Sequence, residues 1–464
     1  MASRIGTSEK VEVWLSSESM PGDKKWFQDP AELTHQLSRQ PDIQWTAPEA
    51  TSRSTIIISP DHTYQEILGI GTSVEETTVH NLSKMSSSVR TSILRQLTDK
   101  GDQGIGFNFF RITLGTSDFT AQSFYTYNDI ADGETDFELK QFSIQKDIDL
   151  SIINTIQELL AAAPDTLLFA SPWSPPAWMK TNGSLKRGQL KEGIEYTEAL
   201  AKYYRLAIQA YLEQGIPIYA MTLQNEPLLE TDYPSCYMSP ERQKELALAL
   251  KKEFTEHGLE TEIWIFDQNF SDVRAYVTPI LDDIDGFAAV DGIALHDYEG
   301  EPELMSEIHA SYPDKPIYLT ERSVWGTQGA DRIALYFRNY ASSYNAWVTM
   351  LDSRIGTHQW LGTPGPTMFI QDATEADRYW LTPEYYLLGQ FTRFVRRGAV
   401  RIESTYGSTD TVTNVVFRNL DGSVIAVVIN QTESEQEFRV LCEGNQFTAV
   451  LPAKTVGTYC WRTT

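Results

Sequence analysis

Between residues 65 and 352 the chain alternates short runs of apolar or β-branched residues with longer stretches of helical periodicity. Eight such runs are QEILGIG (65–71), GFNFFRITL (106–114), LLFASPW (167–173), IYAMTLQNEP (218–227), EIWIFDQN (262–269), DGIALHDY (291–298), IYLTER (317–322) and AWVTMLD (346–352). Stretches such as DLSIINTIQELLAAA (149–163) and YTEALAKYYRLAIQAYLEQG (196–215) separate them. PERQKELALALKKEFTEHG (240–258) opens behind Ser239 and closes on Gly258, ordinary start and stop signals of a helix. Strands alternating with helices imply parallel strands joined by crossover helices, and eight repeats favour a closed (β/α)8 barrel over an open sheet.

The ends of the chain are patterned differently. After about Ala399, short strand-like runs follow one another with turn signals such as Leu420-Asp421-Gly422 and no helix between them. The first 60 residues carry VEVWL and TIIIS, which can complete the same unit. The expected fold class is therefore α/β, a (β/α)8 TIM barrel with an attached β-sandwich. Residues 1–60 supply N-terminal strands of the sandwich, 61–392 the barrel and 393–464 the C-terminal part of the sandwich.

Composition narrows the function. A formal charge of -25 repels phosphate backbones and anionic lipid surfaces, which argues against nucleic-acid binding and polybasic membrane attachment. No apolar run reaches transmembrane length or suggests a signal peptide. Cys236, Cys442 and Cys460 lack metal or disulfide spacing and read as buried thiols, so a reducing, cytoplasmic setting is expected. No cofactor is called for, and no HExxH, EF-hand or metal-spacing cluster requires a metal. Gly69-Ile70-Gly71 lacks the remaining features of a phosphate loop and reads as a tight turn near a pocket floor.

Chemistry collects at the strand ends, which in such barrels face the active-site mouth. The fourth run ends Gln224-Asn225-Glu226-Pro227 and the seventh Thr320-Glu321-Arg322. A carboxylate at the end of a buried strand is costly unless paired, so it has no structural purpose there. Two of them converging on one cleft suit cleavage of a glycosidic bond. Glu226 would protonate the departing oxygen while Glu321 meets the anomeric carbon from the other side. Asn225 can bond the sugar 2-hydroxyl, the Tyr298 phenol can hold Glu321 ionised and oriented, His296 can tune the pocket, and Arg111 can offer a cation to a carboxylate. Trp173 sits in a proline-stiffened loop suited to holding an indole against a sugar, with Trp347 as a second platform. Trp325, Trp360 and Trp380 are further cleft candidates. A barrel that only binds carbohydrate is the competing class, and the combination of proton donor, anion and orienting groups weighs against it.

Five segments, NFFRITLGTSDFT (108–120), LLFASPWSPPAWMKTNGSL (167–185), TLQNEP (222–227), DGIALHDY and YLTERS (318–323), resemble glycoside hydrolase family 30, the glucosylceramidase-like retaining β-glycosidases. The resemblance implies Glu226 as acid/base, Glu321 as nucleophile, Asn225 as the adjacent sugar-binding amide, and Trp173 and Trp347 at the first sugar. It also implies that Glu76 grips sugar hydroxyls and that Arg111, Asp118, His296 and Tyr298 line the pocket. Two departures touch sugar-facing loops: GTSVEE at 71–76 replaces a GGAMTDA-like sequence, and Val348 follows Trp347 where relatives have Asn. The expected substrate is a β-linked glycoside, cleaved by an exo-acting β-glucosidase or glucosylceramidase-like enzyme. β-1,6-Glucanase and β-xylosidase activities are the alternatives.

Overall fold

Eight parallel strands close on themselves in the computed structural model, which describes residues 10–18, 26–28, 30, 32–48 and 54–462. Three N-terminal strands come first, β1 (Lys10–Ser17), β2 (Ser38–Gln44) and β3 (Ser54–Glu66). The barrel follows as β4 (Gly69–Val74), β5 (Phe109–Leu114), β6 (Leu167–Pro172), β7 (Ala220–Thr222), β8 (Glu262–Asn269), β9 (Gly292–His296), β10 (Ile317–Glu321) and β11 (Ala341–Ala346). β11 pairs with β4 from Ser343–Gly69 to Ala346–Thr72 and completes the ring.

Helices form where the sequence supplies both an apolar stripe and caps. In Pro240–His257 the Ser239 side chain accepts from the Arg242 N–H, proline occupies the first turn, and Gly258 ends the helix at φ +67°, a conformation glycine takes without a side-chain clash. Its buried face is Gln243, Leu246, Ala247, Leu250 and Phe254. Such faces join the outward side chains of the barrel strands in one large apolar core.

Two expectations need correction. The eighth barrel strand is ASSYNA at 341–346, not AWVTMLD at 346–352. Small and polar residues fill it, so it carries none of the apolar signal that draws attention to the following segment. That segment instead contributes β12 (Met350–Asp352) to a small sheet with β13 (Phe369–Gln371) and β14 (Tyr379–Leu381) above the barrel. Gly69 and Gly71 form no tight turn; they lie inside β4. A Cβ on Gly71 would fall 1.7 Å from the Phe109 carbonyl oxygen, so glycine is required by the approach of β5.

The remaining strands, β15 (Val400–Ser404), β16 (Thr413–Arg418), β17 (Ser423–Asn430), β18 (Gln436–Cys442), β19 (Asn445–Leu451) and β20 (Thr455–Arg462), join the first three. The order is β19-β18-β3-β15-β16-β17-β20-β1-β2. A bridge from Thr46 to Gln446 draws the two edges together, and a separate core including Val13, Ile56, Val416, Phe438, Val440 and Tyr459 fills the resulting sandwich. Among the described residues all three cysteines are free, Cys236 and Cys442 buried and Cys460 half-buried. No helix among the described residues is long and apolar enough to cross a membrane.

Candidate active site

The barrel interior is built in layers because alternate strand residues point inward. The lower layer is Phe109, Phe169, Ala220, Trp264, Ala294 and Tyr318. Trp264 and Tyr318 stack at 3.9 Å and Phe109 and Phe169 at 4.9 Å, closing the barrel with an apolar plug. Two residues further along five of those strands come Arg111, Ser171, Thr222, His296 and Thr320, all buried and all polar.

On β8 the same step from Trp264 leads to Phe266, which cannot join a polar layer. The pairing of β8 with β9 shifts between Phe266 and Gln268, and Phe266 and Asp267 adopt φ of +77° and +63°. This bulge turns Phe266 out into the apolar core and puts the Asp267 carboxylate inside the barrel. Asp267 then organises the layer. Its Oδ2 accepts from Arg111 Nη2 at 2.9 Å and Thr222 Oγ1 at 2.7 Å; its Oδ1 accepts from Thr320 Oγ1 at 2.6 Å and lies 2.9 Å from His296 Nε2. Burial alone would raise the Asp267 pKa, but Arg111 and His296 outweigh it and hold the carboxylic acid far below its usual range. Asp267 is absent from the sequence-based candidates because strict alternation points it outward.

Above this layer sit the two glutamates. Glu226 lies beyond the end of β7, at φ +46°, its N–H bonded to the Asp267 carbonyl at 2.9 Å. The preceding Asn225 N–H bonds the Pro172 carbonyl at 2.8 Å, so the segment is tied to both neighbouring strands. Glu321 ends β10. One oxygen of each carboxyl group and one nitrogen of His296 all lie within 4.8 Å of one another.

The surrounding groups divide the two glutamates chemically. Glu321 Oε1 accepts from the Tyr298 hydroxyl at 2.8 Å and Oε2 accepts from Arg111 Nη1. Glu226 Oε1 is 3.3 Å from His296 Nδ1. Burial raises the Glu226 pKa and the Glu321 charge adds to the effect, while His296 and Arg111 oppose it. For His296, burial favours the neutral ring, but Glu321, Asp267 and Glu226 together push its pKa up to about 10. As an imidazolium His296 can donate from both nitrogens, one toward Glu226 and one toward Asp267.

A cavity of about 650 Å³ opens above the pair, lined by Asp118, Trp173, Asn225, Glu226, Tyr298, Glu321 and Trp347 among others. Trp173 and Trp347 stack at 5.2 Å, with the Arg111 guanidinium 4.8 and 5.4 Å from their centres. Burial, then the charges of Glu321 and Glu226, raise the Asp118 pKa well above normal. Arg111 Nη2 also donates to Asn225 Oδ1 at 2.9 Å. Of the residues expected here, Arg111 and His296 lie just beneath the cavity lining, and Glu76 lies elsewhere. Its Oε2 accepts from Thr120 Oγ1 at 2.9 Å and the Ala121 N–H at 2.6 Å, so it secures the 119–122 loop behind the pocket. Of the further cleft candidates Trp325 and Trp360 join the lining and Trp380 does not; Phe119 and Tyr233 also line it, without strand-end positions that would mark them in the sequence.

The glycosyl hydrolase family 30 TIM-barrel domain matches residues 67–395 and the family's β-sandwich domain matches 398–459. The chain belongs to glycosyl hydrolase family 30. It is a glycoside hydrolase, and the family assignment covers both folded units. It is 28% identical to an endo-1,6-beta-D-glucanase of Neurospora crassa over 411 residues, 83% of each chain. It is 25% identical to the lysosomal acid glucosylceramidase of Mus musculus over 88% of this chain and 83% of that one. The solved structure of the endo-beta1,6-glucanase BT3312 superposes with a TM-score of 0.86 at 28% identity, covering 98% of this chain and all of the other.

Proposed function

We propose that this family 30 enzyme cleaves the β-1,6 bonds of a glucan by double displacement, with Glu226 as acid/base and Glu321 as nucleophile. The reading rests on the gap between the carboxyl groups, whose nearest recorded oxygens lie within 4.8 Å. Covalent, retaining chemistry uses a separation of about 5–5.5 Å, whereas inversion needs about 6.5–9.5 Å to admit a water. In the first step Glu321 bonds to the anomeric carbon as the glycosidic oxygen leaves with the Glu226 proton. Burial raises the Glu226 pKa and so favours its protonated form, as a general acid requires. Tyr298 and Arg111 fix the two Glu321 oxygens, and Arg111 also sets Asn225 for the sugar. Water, deprotonated by Glu226, then breaks the ester and restores both groups.

The linkage is supported by the endo-1,6-glucanase relatives and the superposed structure. A second reading, an exo-acting glucosidase of the glucosylceramidase kind, draws support from the mouse relative. Incubation with β-1,6-glucan, followed by proton NMR, tests the proposal: new reducing ends should appear first as the β-anomer. The α-anomer appearing first would refute retention. Turnover of glucosylceramide with no new ends from the glucan would favour the second reading.

A further inference from the structure

The cavity has two zones of different character. At its floor Trp173 and Trp347 are only 2% and 6% exposed and already packed against each other and Arg111. At its mouth Trp325 and Trp360 are 50% and 37% exposed. Leaving indoles in water forgoes about 25 cal/mol for each Å² of apolar surface, so folding alone does not favour this position. The backbone nevertheless makes room for both. Residues 360–365 read WLGTPG. A Cβ on Gly365 would meet Trp325 Cζ3 at 2.6 Å, and one on Gly362 would meet Trp360 Cη2 at 2.5 Å. One loop therefore braces both rings. Trp360 is braced further by Phe119, stacked at 6.5 Å.

Arg322 lines the same mouth, with its guanidinium carbon 5.0 Å from the Tyr298 ring centre. Its Nε is buried without a hydrogen-bond partner, and among the described residues no carboxylate pairs with it. An unpaired arginine is unexpected in a chain carrying 63 acidic residues. The guanidinium lines the cavity, and a planar fork of donors beside aromatic faces matches a sugar, which offers hydroxyls around its rim and C–H groups on its face.

We propose that Arg322, Trp325 and Trp360 form a second sugar subsite at the cavity mouth. It holds the ring on the leaving-group side of the scissile bond, so the enzyme selects a sugar chain over a lone glycoside. The inference rests on the double-displacement reading of the same cavity. In the reverse sense of the first step, an acceptor hydroxyl attacks the anomeric carbon of the Glu321 ester. Its proton passes to Glu226, the carbon–Glu321 bond breaks, and Glu321 departs as a carboxylate. A sugar acceptor needs the subsite; methanol does not.

The test charges the enzyme with an activated aryl β-glucoside and measures transfer to methanol and to a β-1,6-linked glucose disaccharide. The ratio of sugar transfer to methanol transfer should fall about tenfold or more in Trp325→Ala, Trp360→Ala and Arg322→Gln. An unchanged ratio in all three overturns the subsite. Absence of methyl glucoside from the wild-type reaction overturns double displacement instead. In that case calorimetry on Glu321→Gln decides: a β-1,6-linked glucose trisaccharide should bind tighter than glucose, and Trp325→Ala should erase the difference. Equal binding of the two sugars, or a difference that survives the substitution, overturns the subsite.

Discussion

Arg111 and Asp267 are fully buried and joined at 2.9 Å beneath the two glutamates. Removing one partner of such a pair leaves the other charge stranded, at a cost of about 3–5 kcal/mol. Asp267→Asn should therefore lower the melting temperature and reduce turnover together. Differential scanning calorimetry and aryl-glycoside assays on the same preparation check this; a stable, fully active Asp267→Asn protein would remove Asp267 from its organising role.

The two glutamates should fail in different ways. Glu321→Gly should lose about 10⁴-fold or more in kcat. Azide should restore product as the α-glycosyl azide, because the anion enters from the face the carboxylate has vacated. Glu226→Ala should lose about 10²–10⁴-fold on substrates with poor leaving groups. With activated aryl glycosides it should still show a burst, followed by slow release. Rescue of the wrong variant, or identical behaviour of both, would reverse or dissolve the assignment.

The pH profile has a defined sign. The alkaline limb of kcat/KM follows loss of the Glu226 proton, and the His296 imidazolium favours that loss. In His296→Asn the positive neighbour is gone, the neutral acid is favoured, and the alkaline limb should move to higher pH. A limb displaced to lower pH would show that His296 does not act on Glu226 through its charge.

Gly71→Ala tests the barrel closure. The added methyl would meet the Phe109 carbonyl, and relief requires β4 and β5 to separate. Overpacking of this kind costs about 1–3 kcal/mol or more, so the variant should melt earlier or fail to accumulate as soluble protein. An unaltered melting curve would mean that the two strands are not held at this distance.

Part of the site could be read from residue pattern: Arg111 and His296 sit where period-two alternation places them, while Glu321 follows the inward-facing Thr320 at a register shift in β10 and is marked only by its strand-end position. Arg111, His296 and Glu321 occupy strand positions, and Glu226 follows one closely. Asp267 escaped because a bulge reverses its direction, and nothing in EIWIFDQN announces an extra residue. The eighth strand escaped for a compositional reason. ASSYNA is buried along its whole length, yet apart from Tyr344 its side chains are small or polar and lack the apolar run by which buried strands are recognised. Glu76, placed at the sugar by resemblance alone, opens a helix and its Oε2 accepts from the Thr120 hydroxyl and the Ala121 N–H. Trp325 and Trp360 depend on loop geometry, which alternation does not encode.

The interleaving of early and late strands has a consequence for biosynthesis. β3 pairs with β15 and β18, and β1 is held between β2 and β20. On a ribosome adding roughly 5–20 residues per second, β1 and β3 emerge tens of seconds before their partners β15, β18 and β20 exist. The catalytic barrel can assemble while the β1–β2 hairpin and β3 wait for these partners, their open edges exposed to chaperones and proteases. Synthesis of β20, rather than completion of the barrel, is therefore the event that seals the molecule.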